Sequence, residues 1–436
     1  MTQLLLYSYN PSPRLEYVFN ILCNTIGVKS FKVTSDLKEF ISFAGAKINY
    51  SNATQPDGSL QIIPVELLFE NNITHQQINC IEWHGVKAFF KTSDGEVPFD
   101  ILAASFYLLS RYEEYLPHQK DEYGRFAHTE SLAFKNDFLN LPLVNIWCRQ
   151  LTLILQQKYP ALQLAPPVFT YIPTYDIDMA WSYFKKGFIR NTAGLVRSLF
   201  KADWDSIIDR LGVLLVFEDD PFDIYEWLDN LHEQHALQPV YFFLVAAKPG
   251  KYDKNINPKS KYFQLLISKL SVMYACGIHP SWQSGDNPQL LEQELGYLQK
   301  ITGKKTSMSR QHYIRMSLPD TYQQLLQAGI SKDFSMGYGS INGFRASYCM
   351  PYSWYDLPGN QQTGLMIYPF CYMEANSLFE QKFSPDEALL EMEQYWAITK
   401  QYNGTFITIF HNHLLTEQPG QIKWRNMYQQ FLESNF

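Results

Sequence analysis

Apolar and polar positions follow two regimes along the chain, and the change falls near residue 165. Before it, apolar runs are short and broken by turn formers. Residues 61–68 and 85–90 read as short strands, punctuated by Pro56, Gly58 and Asn-rich turns. Residues 99–116, FDILAASFYLLSRYEEYL, carry apolar side chains at helical spacing and stop at Pro117. A charged loop, HQKDEYGRFAHTE, leads to a second predicted helix over 144–159. The pattern predicts an α+β unit over residues 1–165.

The boundary is PALQLAPPVFTYIPTYDID, where Pro160, Pro166 and Pro167 interrupt helix and an apolar strand then runs into Asp176. Beyond it, strand-like and helix-like runs alternate. GVLLVFEDD is expected as a strand before the helix of DIYEWLDNLHEQH. PVYFFLVAA is expected as a buried strand, YFQLLISKLSVMYACGI as a helix leading into His279, QLLEQELGYLQKITG as a helix and FITIFHNHLL as a late strand. Strand and helix in repeated succession predict an α/β domain over 166–436, built on a mostly parallel sheet. Chemistry then belongs at the C-terminal ends of its strands.

Composition narrows the partners. A formal charge of -7 argues against nucleic acid, which needs a concentrated basic surface. The basic stretch from Lys185 to Lys201 is spread through an apolar segment and reads as a helix surface. The six cysteines contain no CxxC pair, which excludes a cysteine-rich zinc site and fits a reducing compartment. With no secretory signal and no apolar run of spanning length, the expected setting is the cytoplasm. Aromatics make up 16% of the chain; they suit sugar stacking, although core packing accounts for most of them. Arg111, Glu113, Glu114, Asp121 and Arg125 make the charged loop region rich in potential ion pairs. A salt-bridged hinge is the expectation there, with a substrate role as the alternative.

Candidate chemistry sits at the predicted strand ends. TYDID sets Asp176 and Asp178 two residues apart, so extended backbone points both carboxylates to one side. Held together, two carboxylates repel unless they share a proton or a metal. His279 follows a buried segment, His312 lies between Arg310 and Arg315, and His411 and His413 end the last strand. Imidazole with carboxylate suits zinc and other first-row divalent ions. SMGYGSINGFRASYCMP is rich in glycine but has neither phosphate-loop nor dinucleotide fingerprint. It is either an ordinary surface turn or a tight loop that brings Tyr338, Phe344 and Arg345 beside a pocket.

In chain order, TYDID (174–178), GIHPSWQS (277–284), residues 310–315, KDFSMGYGSINGFRA (332–346) and ITIFH (407–411) resemble the motifs of the polysaccharide deacetylase (NodB-like, carbohydrate esterase family 4) family. The resemblance implies a distorted (β/α) barrel that removes acetyl groups from N-acetylated sugars with a divalent metal, zinc by preference. It also implies an architecture of Bacteroidetes-type bacteria with an uncharacterised first domain. Carried over by position, Asp176 is the base, His411 the acid and Arg310 the residue that orients the base. Asp178 and His279 are metal ligands, and Asp333 and Ser335 lie near the groove wall. Trp282, Tyr338, Arg345 and Trp354 are the residues expected at the substrate.

Two positions depart from the family pattern. Ile177 separates aspartates that are usually adjacent, and Gln283 stands where a second ligand histidine is usual. His312 is the favoured replacement; Ser281 or a water in its place, or loss of the metal, are the alternatives. The implied partner is an N-acetylated carbohydrate or precursor. The rival function is a catalytically inactive carbohydrate-binding or scaffold protein of polysaccharide assembly.

Overall fold

The computed structural model describes residues 3–55, 58–184, 188–200, 204–215, 217–246, 248 and 250–436. The buried run Leu4–Tyr7 forms β1, and a helix over Pro13–Ile26 follows. That helix starts where Ser12 accepts the Leu15 N–H and Pro13 presets the first turn. It ends at Gly27, which takes φ 83°. Phe31–Thr34 (β2), Ala46–Tyr50 (β3) and Leu60–Ile62 (β4) complete a four-stranded sheet in the order β2-β1-β3-β4, with every pairing parallel. Ile81–Trp83 (β5) and Val86–Ala88 (β6) form a separate antiparallel hairpin. The expected strand over 61–68 therefore shortens to β4 and a single helical turn over Glu66–Leu68.

The helix expected over 99–116 is confined to Ile101–Leu109, where Asp100 caps it by accepting the Ala103 N–H. Its periodicity continues past residue 109, but Arg111 adopts φ 55° and breaks it. Burial of the Arg111 guanidinium among Glu113, Glu114 and the Arg345 carbonyl is what this turn achieves. The second expected helix spans Leu143–Lys158.

The second sheet has nine strands: Thr170–Ile177 (β7), Val240–Phe243 (β8), Ala275–Ile278 (β9), Met308–Ser309 (β10), Lys332–Asp333 (β11), Tyr352–Asp356 (β12), Gln361–Ile367 (β13), Tyr372–Met373 (β14) and Thr405–His411 (β15). Their order is β12-β13-β11-β10-β9-β8-β7-β15-β14, and only the β12–β13 pair is antiparallel. Among the described residues the sheet is open, with β12 and β14 at its edges; the expected barrel does not close by hydrogen bonds.

GVLLVFEDD is not a strand. Its first residues finish a helix over Trp204–Leu214, and the Leu215 N–H continues the helical ladder to the Leu211 carbonyl; Val216 lies outside the described residues. An apolar run of that length cannot by itself distinguish a strand from the end of a helix. The basic stretch falls on a helix over Phe188–Phe200, although residues 185–187 and 201 are outside the described set. Among the described residues no helix is long and apolar enough to cross a membrane.

The two sheets share one hydrophobic core. Backbone bonds from Phe344 N–H to the Leu139 carbonyl and from Val144 N–H to the Ser347 carbonyl stitch the first unit to the glycine-rich loop. Register then does the positioning: His411 pairs with Asp176, Phe243 with Ile278, and Ile278 with Ser309. The residues that follow these strands therefore emerge at one edge.

Candidate metal centre

At that edge, Asp178, His279 and His312 present ligand atoms that all lie within 4.8 Å of one another. His279 Nε2 is 3.2 Å from Asp178 Oδ1, and His312 Nε2 is 3.5 Å from Oδ2. Two donors at zinc distance on a tetrahedron sit roughly 3.3 Å apart. Both rings have their other nitrogen engaged: His279 Nδ1 donates to the Arg310 carbonyl at 2.6 Å, and His312 Nδ1 donates to Asp253 Oδ1 at 3.0 Å. Those bonds fix the tautomer that leaves the Nε2 lone pair facing Asp178. Asp178 Oδ1 is buried and makes no hydrogen bond. An orphaned carboxylate oxygen opposite two oriented imidazoles fits a divalent cation.

The electrostatics agree. Burial works against a charged Asp178, yet His312 and His279 hold it well below the usual carboxylate range. Burial likewise disfavours a charged His312, and Asp178 and Asp253 push it up to about 9.

Two more groups flank the cluster. Asp176 Oδ1 accepts from Arg310 Nη1 at 2.9 Å, while Oδ2 is 3.7 Å from His279 Nε2. Arg310 is fixed in turn by the Thr174 hydroxyl and the Phe334 carbonyl. His411 Nε2 is 3.8 Å from Asp178 Oδ2, and its Nδ1 is 2.9 Å from Glu374 Oε1. Burial opposes charge on this ring, but Glu374, with Asp178 and Asp176 behind it, raises it to about 10.

Asp176, Asp178, His279, His312 and His411 line a cavity of about 270 Å³ together with Met373 and, from the first unit, Tyr123 and Arg125. Its floor contains an unusual turn: Tyr313 takes φ 59° and Ile314 φ 54° immediately after His312. Left-handed backbone is an outlier for a β-branched residue and costs of order 1–3 kcal/mol per residue.

Four expected substrate residues are placed elsewhere. Tyr338, Arg345 and Trp354 are no more than 2% exposed and do not reach the cavity. Arg345 is held by Glu114 and the Gly337 carbonyl, and its cation packs on the Tyr338 ring. Trp354 packs edge-on to Tyr322. Trp282 stands behind the wall, its ring stacked on Tyr252 at 4.0 Å and 5.7 Å from Tyr313. Asp333 and Ser335 also lie inside the fold, where Asp333 accepts from Ser309 and Ser335. Sequence pattern missed Asp253 and Glu374, which orient His312 and His411. Neither stands in a motif, and only the fold brings them to the rings.

The profile of a family of unknown function, DUF7033, matches residues 4–160. No curated protein matches the chain. Among solved structures, a protein described as a polysaccharide deacetylase from Mycobacterium smegmatis is similar at 12% identity and TM-score 0.39, over 62% of this chain and 84% of that one. A polysaccharide deacetylase from Bacillus cereus is similar at 12% identity and TM-score 0.29, over 62% and 88%. The Puue allantoinase is similar at 10% identity and TM-score 0.38, over 61% and 83%. At such scores these likenesses carry no weight for chemistry.

Proposed function

We propose that this chain hydrolyses the acetamide of an N-acetylated sugar or sugar precursor with the help of a divalent metal, zinc being the ion its donors suit best. The observation that carries this is the convergence of Asp178, His279 and His312 on one space, with Asp176 and His411 on its flanks. The order of motifs along the sequence supports the acetamide as the bond attacked.

A divalent cation held by Asp178, His279 and His312 supplies Lewis acidity toward the acyl oxygen and makes water easier to deprotonate. Asp176, oriented by Arg310, takes the proton from the attacking water. The water oxygen bonds to the acyl carbon, the carbon–nitrogen bond breaks, and His411 gives a proton to the departing nitrogen. Glu374 holds the His411 ring with Nε2 toward Asp178 and supports its positive charge. Acetate and an amino sugar are the products. A cavity of about 270 Å³, with Tyr123 and Arg125 in its lining, suits a single acylated ring better than the middle of a long polymer.

The test is acetate release from N-acetylglucosamine and short N-acetylated oligosaccharides by the zinc-reconstituted full chain. Release by the wild type and none by Asp176→Asn is expected. If zinc binds at no site and no acetate appears from any of these sugars, hydrolysis is wrong and a non-catalytic carbohydrate-binding role replaces it.

A further inference from the structure

The third donor of the cluster depends on the first unit of the chain. His312 sits on a turn whose next two residues, Tyr313 and Ile314, are both left-handed. Such backbone relaxes unless its surroundings hold it. The hold comes from the charged loop, more than 180 positions earlier: Arg125 Nη1 donates to the Tyr313 carbonyl at 2.7 Å (|i−j| = 188). Asp121 aims the guanidinium by accepting from Arg125 Nε at 2.7 Å, and also accepts from the Arg125 backbone N–H. The Tyr123 ring lies 5.4 Å from that of Tyr313.

A second feature accommodates the same contact. A Cβ on Gly339 would overlap Arg125 Nη1 and stand 3.0 Å from the Tyr313 carbonyl. Only glycine leaves room for the guanidinium to reach the turn. Gly339, in the glycine-rich loop, thus keeps open the path that Arg125 fills.

We propose that Arg125 is a positioning residue for the metal centre, and that the first unit serves to clamp the left-handed turn that presents His312. This rests on Asp178, His279 and His312 forming a metal site, as in the proposed function. Gln283 is exposed and does not line the cavity, so the site depends on a donor that this clamp holds in place. A role thereby falls to the DUF7033 region: part of it completes a centre built by the second sheet.

The experiment measures zinc affinity by chelator competition, and the visible spectrum of the cobalt-substituted full chain, for wild type, Arg125→Ala, Arg125→Lys and Gly339→Ala. His128→Ala removes a different contact between the same loop and the second half, the bond to Ser340, and serves as the control. Arg125→Ala and Gly339→Ala are expected to weaken zinc at least about tenfold, as loss of ligand support does, and to alter the cobalt bands. Arg125→Lys, which can still donate to the carbonyl, recovers part of the loss, and His128→Ala binds as wild type does. Should Arg125→Ala not fold, Asp121→Asn replaces it, with a smaller loss of the same sign expected. Wild-type affinity and spectrum in the Arg125 and Gly339 variants, or an equal loss in His128→Ala, would overturn the clamp. Failure of the wild type itself to bind zinc would sink the metal site and the proposed function with it.

Discussion

Glu114 and Arg345, 231 positions apart, form a buried bidentate pair in which Arg345 Nη2 donates at 2.6 Å and Nε at 2.9 Å. Arg111 Nε shares the same carboxylate at 2.7 Å. One carboxylate thus bridges two buried guanidinium groups across the seam between the two halves, and Glu113 supplies a second carboxylate to Arg111. Burial raises the Glu114 carboxyl, but Arg345 and Arg111 outweigh it and hold it at about 2 instead of 4.5.

The sign of the pH effect follows. A depressed folded value gives stability that is present above pH 4.5 and lost as pH falls through 4.5 toward 2. Glu114→Gln removes that charge, leaving Arg345 buried without a carboxylate and Arg111 with Glu113 alone, at a cost of about 3–5 kcal/mol at neutral pH. Urea midpoints across pH check this. The wild-type advantage over Glu114→Gln should shrink steadily below pH 4.5; a constant gap would mean that the pair carries no such coupling.

Metal content separates ligands from neighbours. His279→Ala and His312→Ala should each lose the zinc that the wild type retains, because each removes a donor from a set of three. His411→Ala should keep it, since His411 Nε2 is the more distant group at 3.8 Å from Asp178. Elemental analysis of the purified full chain decides. Zinc loss in His411→Ala equal to that in His279→Ala would redraw the donor set.

Activity should divide the other way. Asp176→Asn keeps the hydrogen bond from Arg310 but cannot take a proton, and His411→Ala cannot give one. Each is expected to lower the rate of acetate release by about 10²–10⁴-fold while zinc stays bound. Steady-state assay of the zinc-loaded variants checks it, and a loss below about tenfold in either would deny that residue its proton.

Asp253 offers a subtler test. It accepts from His312 Nδ1 and from the Trp282 N–H, so it fixes both a donor ring and the wall beside it. Asp253→Asn should weaken zinc about 10–100-fold without changing stoichiometry at saturation. Chelator competition measures this, and an unchanged affinity would show that the ring needs no such support.

Much of the fold was legible because burial leaves a plain trace. The strand over 240–243 is buried throughout and the one over 170–177 from Pro173 onward, both show as apolar-rich runs, and Asp176, Asp178, His279, Arg310, His312 and His411 stand where those and neighbouring strands end. Strands β10 and β11 were silent, since two residues carry no periodicity. The helix ending at Leu214 passed for a strand because its apolar residues run consecutively, and the helix over 101–109 seemed longer because nothing local announces that Arg111 turns inward. The parallel order of the first sheet depends on contacts between strands that no local pattern reveals.

The sequence pointed to the charged residues that the fold gathers at the candidate centre, and its aromatic candidates lie elsewhere. Carboxylates and histidines at strand ends have few structural excuses, whereas Tyr338 and Trp354 serve the core as readily as a ligand, and the core holds them. Arg345 is the instructive case: a cation beside glycine-rich turns suggested a ligand, yet Glu114 from the distant first unit is its partner.

Gln283 poses the final question, because a histidine there would stand four residues after His279 and could offer a further donor. In this fold Gln283 is exposed and its amide approaches Gly250, while His312 is buried in the cluster. Position 283 therefore stands outside the lining of the cavity in this fold. Gln283→His should leave zinc affinity and acetate release unchanged, and the same substitution added to His312→Ala should not restore the metal. Zinc titration of the double variant measures this. Recovery of stoichiometric zinc would mean that the segment after His279 can swing inward, and that the strained turn at Tyr313 is one of two routes to the same donor position.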